Sequence, residues 1–105
     1  MKEPVKTKKE LIAAIRSHGG QVQAFGVRRL GIFGSFVKDE ADEQSDVDFF
    51  IEFDPQFKTL KNFVGLANYL QQLLGRRVEI VTPQSLNKFT GKYITQQVEY
   101  VSIAA

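Results

Sequence analysis

A long amphipathic segment between two strand-like segments constrains the fold of this chain more than any other feature of its sequence. From about residue 57 to residue 74, apolar residues recur at the i, i+3, i+4 and i+7 spacing of a helix: Leu60, Phe63, Val64, Ala67, Leu70, Leu73 and Leu74. Gly75 follows directly and is typical of a helix end. A helix that connects two strands allows those strands to lie parallel in one sheet.

Three short segments have the pattern of strands. The first covers residues 27–33 and is rich in apolar residues. The second alternates with period 2, since Val47, Phe49, Ile51 and Phe53 interleave with Asp46, Asp48, Phe50 and Glu52. The third covers residues 76–82 and is ended by Pro83. The second and third strands flank the long helix, so we expect them to be parallel.

The remaining segments predict shorter helices. Thr7 and Glu10 have the spacing of a capping box, so a first helix is expected from residue 7 to His18, which lies near its C-terminus. Gly19-Gly20 stops or interrupts that helix. Further helical turns are expected at residues 21–25, at the start of a loop over 36–44, after Pro83 and over 92–100.

The order of elements is α-β-loop-β-α-β-α, which predicts one small α/β domain over residues 1–105. Apolar residues near the chain end leave two interpretations open. Val98, Tyr100, Val101 and Ile103 either pack on the domain itself or form a docking strip for a partner, because clustered exposed apolar groups mark interaction sites.

Composition excludes several classes of protein. Hydrophobic residues make up 43% and charged residues 25%, which is typical of a globular domain rather than a disordered chain. Cysteine is absent, which excludes disulfides and thiolate metal sites and favours a cytoplasmic setting. No apolar run approaches the roughly 20 residues that span a bilayer. The net charge is +2 and the basic residues are dispersed, so no direct nucleic-acid binding is expected.

Asp46 and Asp48 are the first candidates for chemistry. They are separated by one residue on a predicted strand, so both carboxylates are expected on one face, a few ångströms apart. Two such charges repel unless a cation lies between them, and Mg²⁺ is commonly bound by one or two carboxylates together with substrate phosphates. Alternatively, one of the two faces solvent or caps a turn after Ser45.

Gly34 and Ser35 form the second candidate motif, directly after the first strand. Glycine permits close approach of the backbone to a ligand, and the Ser hydroxyl with the following N–H groups can donate to phosphate oxygens. The alternative is an ordinary strand-to-helix turn. The Lys of a Walker loop is missing, and the chain has one His and no G-x-S-x-G elbow, so neither that loop nor a serine hydrolase is predicted.

Taken together, these residues resemble the signature of the polymerase-β nucleotidyltransferase superfamily. Gly34-Ser35 is followed after ten residues by Asp46-Val47-Asp48, and the surrounding apolar residues match as well. The short chain and the segment from Gly75 to Pro83 are similar to the minimal nucleotidyltransferases, a branch known as MNT. The resemblance covers about residues 27–100 and implies a short mixed sheet flanked by helices.

The resemblance also implies roles for particular residues. Gly34 and Ser35 would hold the triphosphate of ATP, and Asp46 and Asp48 would bind Mg²⁺. A third carboxylate, at the position of Glu79, would complete the metal site and help to activate the attacking hydroxyl. The implied reaction is in-line transfer of a nucleoside monophosphate, with two ions able to stabilise the attacking and leaving oxygens.

Two departures from the family pattern bear on activity. The third carboxylate is usually Asp, and the extra methylene of Glu79 moves its carboxylate by roughly 1.5 Å. A misplacement of about 1 Å can cost roughly a hundredfold in rate; alternatively, Glu79 is a solvent-facing strand residue. Lys38 is the basic residue left after Ser35 to reach a phosphate, and four acidic residues crowd the same loop: Asp39, Glu40, Asp42 and Glu43.

Three functions remain open at this point. Members of the minimal branch typically accompany a helical HEPN ribonuclease, and some transfer AMP from ATP to a tyrosine of that toxin. We expect this chain to be such an antitoxin enzyme. The first alternative is an inactive antitoxin that neutralises its partner by contact. The second is a small-molecule nucleotidyltransferase like those acting on aminoglycosides, which the short segment after the third strand disfavours because it leaves no second domain to hold an acceptor.

Overall fold

The computed structural model describes residues 3–85 and 88–103. Within those ranges, no helix has the length and apolar character needed to cross a membrane. The helices and strands, in chain order, are α1 (Lys8–Ser17), α2 (Gly19–Ala24), β1 (Val27–Phe33), β2 (Val47–Phe53), α3 (Leu60–Leu74), β3 (Val78–Val81), α4 (Lys88–Gln97) and β4 (Glu99–Val101). Short 3₁₀ turns cover Gly34–Phe36, Pro55–Phe57 and Pro83–Ser85.

The strands form one mixed sheet in the order β3-β2-β1-β4. β1 is antiparallel to both β2 and β4, whereas β2 and β3 are parallel. The parallel pair is joined through α3, which confirms the expectation drawn from the long amphipathic segment. The predicted bounds of β1 and β2 are confirmed as well.

The two faces of the sheet differ in what they carry, since side chains alternate along each strand and paired residues share a face. One face packs against α1, α2 and α3 and contains the main core, with Leu30, Ile32, Phe49, Ile51 and Val101 buried. The opposite face carries Gly31, Asp48, Phe50 and Glu79. Phe50 is nevertheless buried. The candidate carboxylates therefore lie on the side of the sheet away from the main core.

The ends of α3 are set by local chemistry. Pro55–Phe57 forms a separate 3₁₀ turn, and the Thr59 hydroxyl then accepts a hydrogen bond of 3.1 Å from the Asn62 N–H as an N-cap. The helix accordingly begins at Leu60, and the predicted start at residue 57 is wrong. Gly75 ends it in the left-handed conformation, with φ 68°, as the sequence predicts.

The N-terminal helices follow the prediction closely. The Thr7 hydroxyl accepts a hydrogen bond of 3.1 Å from the Glu10 N–H, which begins α1. His18 ends it, with its Nδ1 at 3.0 Å from the Ala14 carbonyl oxygen. Gly19 begins α2, and a Cβ at this position would overlap the Ile103 backbone, so the contact requires glycine. This glycine therefore serves a packing contact as well as the helix interruption.

The C-terminal segment corrects the sequence prediction. α4 ends at Gln97, and Glu99–Val101 form the edge strand β4 instead of continuing the helix predicted over 92–100. β4 pairs with β1 through Leu30, Gly31 and Ile32. Val101 and Ile103 are buried in the main core, so the interpretation that the apolar tail packs on its own domain is correct for these two residues. Leu86, in the turn predicted after Pro83, lies outside the described residues.

The burial of Ile103 predicts that the tail is essential for stability. Ile103→Ala should lower the free energy of unfolding by about 2–4 kcal/mol, since it leaves a cavity beside α2 and the sheet. Ser102→Ala is the matched control, because Ser102 is exposed and should change stability by less than about 0.5 kcal/mol. Urea denaturation measures both values, and equal stability of the two variants would contradict a core role.

Candidate active site

The Gly34–Phe36 turn lies against the carboxylate of Asp48. Gly34 has φ +79°, and a Cβ at this position would overlap the Asp48 carboxylate, so glycine is needed both for the backbone conformation and for the close approach. The Gly34 and Ser35 carbonyls accept hydrogen bonds from the Lys38 and Glu40 N–H groups, at 3.2 and 2.9 Å. The structure therefore brings the two predicted motifs into direct contact.

Glu79 lies beside Asp48 across the parallel pair. The two residues are register partners, with Asp48 on β2 and Glu79 on β3. The pKa of Asp48 is raised to about 6, mostly by partial burial and then, in decreasing order, by the charge of Glu79, a hydrogen bond with Glu79 and the charge of Asp46. The ionisation of Asp48 therefore depends on the neighbouring Glu79.

Asp46 lies just before β2 and is turned toward a different neighbour. Its Oδ1 is 3.6 Å from Nε of Arg77, in an exposed ion pair whose side chains are 42% and 85% accessible. Exposed pairs of this kind are weak, so the contact leaves Asp46 able to reorient. Among residues 3–85 and 88–103, no three acidic, His or Cys side chains come close enough together to enclose a metal ion.

The donor set nonetheless fits a hard divalent cation. Asp48 and Glu79 supply oxygen ligands side by side, and their mutual repulsion is the cost that a cation would relieve. Mg²⁺ keeps several waters and is usually held by one or two carboxylates with substrate phosphates, so a closed cage of three side chains is not required. Asp48 and Glu79 would hold the ion, with Asp46 joining after it leaves Arg77.

The loop between the two motifs places its charges outward. Lys38 is exposed next to the Gly34–Phe36 turn, and its contact with a phosphate stays a prediction. The acidic residues of the loop are also exposed: Asp39, Glu40, Asp42 and Glu43. Their charge is therefore screened by solvent and opposes a bound triphosphate less than the sequence suggests.

Arg76 and Arg77 belong to this region, although their sequence pattern alone indicates only dispersed, solvated basic residues. In the structure, Arg77 lies beside Asp46, and Arg76 bonds to the carbonyl of Ser45, the residue before Asp46. The sequence does place both residues between the end of α3 and β3, the strand that carries Glu79. The chain between α3 and β3 approaches the beginning of β2, so this position was the one feature that could have indicated a role at the site.

Comparison with known proteins identifies the family. The family model for the nucleotidyltransferase domain matches residues 8–103. The protein adenylyltransferase MntA of Thermococcus cleftensis is 38% identical over 96 residues, which cover 90% of this chain and 96% of the relative. The chain therefore belongs to the nucleotidyltransferase domain family. A second relative, from Methanocaldococcus jannaschii and provisionally named a protein adenylyltransferase, is 30% identical over 92% of this chain and its own full length.

Solved structures confirm the fold. A structure provisionally described as a minimal nucleotidyltransferase superposes with a TM-score of 0.69 at 28% identity, covering 84% of this chain and 93% of the other. A toxin–antitoxin crystal structure with AMP-PNP gives a TM-score of 0.59 at 16% identity, covering 81% of this chain and 70% of the other. The expected small mixed sheet flanked by helices is thus the fold of minimal nucleotidyltransferases.

The raised pKa of Asp48 predicts a stability that falls as pH rises. The folded protein binds the proton more tightly than the unfolded chain, so ionisation destabilises the fold between about pH 4 and the folded pKa of about 6. Asp48→Asn removes this penalty. In metal-free buffer the variant should gain roughly 1 kcal/mol at about pH 8, allowing for solvent screening, which is a rise of about 5 °C in Tm.

The gain from Asp48→Asn should be mostly lost at about pH 4, where the folded-state carboxyl is protonated and the unfolded-state carboxyl is only about half ionised. Glu43→Gln is the control, because this exposed carboxylate should leave Tm unchanged at both pH values. Calorimetric scans of the wild type and of both variants at each pH measure these differences in Tm. An Asn variant that is no more stable than wild type at about pH 8 would show that Asp48 bears no such penalty.

Proposed function

We propose that the protein is a Mg²⁺-dependent adenylyltransferase that transfers AMP from ATP to a hydroxyl of a partner protein, and that the acceptor is a tyrosine of a HEPN toxin. The protein would thereby act as an antitoxin. The observation that carries this proposal is the meeting of Asp48 and Glu79 directly beside the Gly34–Phe36 turn. A phosphate-binding turn next to paired carboxylates is the arrangement that phosphoryl-group transfer requires.

The relatives support this choice of reaction and acceptor. The relative from Thermococcus cleftensis, matched over nearly its whole length, is named a protein adenylyltransferase. A structural neighbour is a toxin–antitoxin complex with AMP-PNP, an ATP analogue. These names describe the other proteins, and they make ATP and a toxin the first substrates to test with this chain.

The proposed reaction forms one bond and breaks one. The acceptor hydroxyl oxygen attacks the α-phosphorus of ATP, and the bond from that phosphorus to the bridging oxygen of pyrophosphate breaks, so pyrophosphate leaves with the bonding electrons. The hydroxyl proton passes to the carboxylate of Glu79, which is exposed on β3 where an acceptor can approach it. The product is an AMP phosphodiester on the partner.

Each element of the site has a separate task in this reaction. The Gly34–Phe36 turn binds the phosphates through its backbone, and Lys38 adds a positive charge beside it. Asp48 and Asp46 would hold the cation, with Glu79 completing its site, and a bound cation would neutralise charge on the phosphates and stabilise the attacking and leaving oxygens. Fixed placement of these groups supplies most of the rate enhancement, because the protein itself performs little covalent chemistry.

A second candidate function is an antitoxin that neutralises its partner by contact without transfer. Two observations favour it: Asp46 is paired with Arg77, and Glu79 stands where the family usually has Asp. The fold and its surfaces would serve binding equally well in this case. Transfer measured with the partner protein separates the two functions.

The metal site predicts Mg²⁺-dependent binding of ATP. Isothermal titration calorimetry should show tighter binding with Mg²⁺ than with chelator, by about tenfold or more, because the ion screens triphosphate charge from Asp48. Asp48→Asn should abolish that difference. Equal affinity of the wild type with Mg²⁺ and with chelator would contradict the metal site.

A pair of glycine variants tests the phosphate-binding turn in the same titration. Gly34→Ala should weaken ATP binding with and without Mg²⁺, since the methyl group overlaps the Asp48 carboxylate and φ is positive. Gly20→Ala is the matched control, because a Cβ there meets no atom within 4 Å. Equal ATP affinity of both variants would remove the turn from the binding site.

The proposed role of Glu79 predicts a loss of rate without a loss of ATP binding. With labelled ATP, Mg²⁺ and the proposed HEPN partner, Glu79→Gln should lower kcat by roughly a hundredfold or more, as expected for loss of a general base. ATP affinity should change by less than about threefold, because the interaction is used in the transition state. Glu43→Gln should be unaffected.

Two other results of this assay are informative. Full activity of Glu79→Gln would show that Glu79 is a solvent-facing strand residue without a role in transfer. A wild type that forms a tight complex with the toxin but transfers no label would establish the contact-only antitoxin in place of the enzyme.

A further inference from the structure

The side chain of Arg76 joins its own backbone segment to two others near the candidate site, the segment at Val5 and the turn over residues 42–45. Its Nε donates to the Val5 carbonyl oxygen at 2.6 Å. Its Nη1 donates to the carbonyl oxygens of Asp42 and Ser45, each at 2.8 Å. These acceptors are neutral, so the bonds fix the geometry of the guanidinium and of the three segments rather than cancel charge.

The Ser45 bond fixes the entry into β2. Ser45 directly precedes Asp46, and its N–H donates to the Asp42 carbonyl at 3.2 Å while its hydroxyl accepts from the Asp42 N–H at 2.9 Å. Arg76 therefore holds both ends of a closed turn. The Val47 N–H then donates to the Arg77 carbonyl at 2.9 Å, which continues the attachment into the strand.

The same guanidinium also lies against the Gly34–Phe36 turn. Its Cζ lies 5.1 Å from the ring centroid of Phe36, within the range of a cation–π contact. Phe36 is almost fully buried and directly follows Ser35. Arg76 thus contacts the last residue of the Gly34–Phe36 turn and the residue directly before Asp46.

We propose that Arg76 is a positioning residue that sets the placement of the Gly34–Phe36 turn relative to Asp46 and Asp48. Its effect on AMP transfer rests on the proposed function, whereas its effect on placement does not. Arginine suits this task because its planar fork directs several donors at fixed angles. Lysine keeps the charge but carries all of its donors on one ammonium nitrogen, so it cannot donate to the three carbonyls in the same directions.

Hydrogen exchange measures the placement without any substrate. In Arg76→Gln and Arg76→Lys, amide exchange at Lys38, Glu40 and Val47 should accelerate by about tenfold or more, because their segments lose a shared attachment. Amides inside α3 should change by less than about twofold. Arg28→Gln is the control, since Arg28 is an exposed arginine on β1 and its replacement should leave all of these amides unchanged.

Transfer kinetics then test the consequence for catalysis. Both Arg76 variants should lower kcat by roughly tenfold to a hundredfold, as expected when reacting groups shift by a fraction of an ångström to about 1 Å. The apparent affinity for ATP should change by less than about threefold. This separation of kcat from binding is a result that a uniform loss of stability would not produce at temperatures well below the Tm.

Several outcomes would overturn the inference. Unchanged exchange at Lys38, Glu40 and Val47 would show that Arg76 does not hold these segments. Faster exchange throughout α3 as well would show that Arg76 stabilises the whole domain instead of the site. Local acceleration with an unchanged kcat would refute positioning for catalysis. A wild type without transfer activity would overturn the proposed function, and exchange alone would then decide whether Arg76 sets the placement.

Discussion

The parallel pairing of β2 with β3 is the constraint on which the rest of the structure depends. It requires a crossover, which α3 supplies, and its register places Asp48 next to Glu79. The antiparallel pairing of β1 with β2 then brings Phe33 opposite Asp48, so the chain leaves β1 at Gly34 directly over the carboxylates. Shifting either register by one residue would move these side chains to opposite faces and disperse the site.

The candidate site combines a carboxylate held at an electrostatic cost, which a bound cation would relieve, with a glycine in the left-handed conformation. Asp48 is partly buried beside another carboxylate, which raises its pKa, and Gly34 adopts a conformation open chiefly to glycine so that the backbone can approach it. Neither arrangement benefits the isolated fold. Under the proposed function, both place the groups for cation and phosphate binding in contact with each other before substrate arrives, which is how preorganised sites lower a reaction barrier.

The parts of the fold that follow from local pattern could be predicted from the sequence. β1, β2 and the C-terminal end of α3 were located by alternation, apolar clustering and Gly75, all of which act within a few residues. β4 was not, because three residues at a sheet edge owe their conformation to pairing with distant β1. The start of α3 was misplaced because Thr59, a few residues on, is a better N-cap than the residues before it.

The same distinction applies to the candidate site. Gly34, Ser35, Asp46 and Asp48 stand out through a motif, and the structure brings Gly34 and Asp48 together as the motif implies. Asp46 points toward Arg77, and Arg76 contacts backbone carbonyls, across separations of about 30 positions or more in the chain. A local sequence pattern does not predict contacts at such separations. Sequence therefore singles out the candidate reacting groups more readily than the residues that hold them.

The location of Glu79 at the sheet edge has an evolutionary consequence. β3 is an outer strand and the Glu79 side chain is exposed, so exchanging this residue disturbs little of the packed interior. If the chain has the proposed function, its descendants can gain or lose chemistry at this position while their folding stays intact. Single codon changes at Glu79 would then convert the proposed enzyme into a binding protein, or the reverse, without loss of the fold.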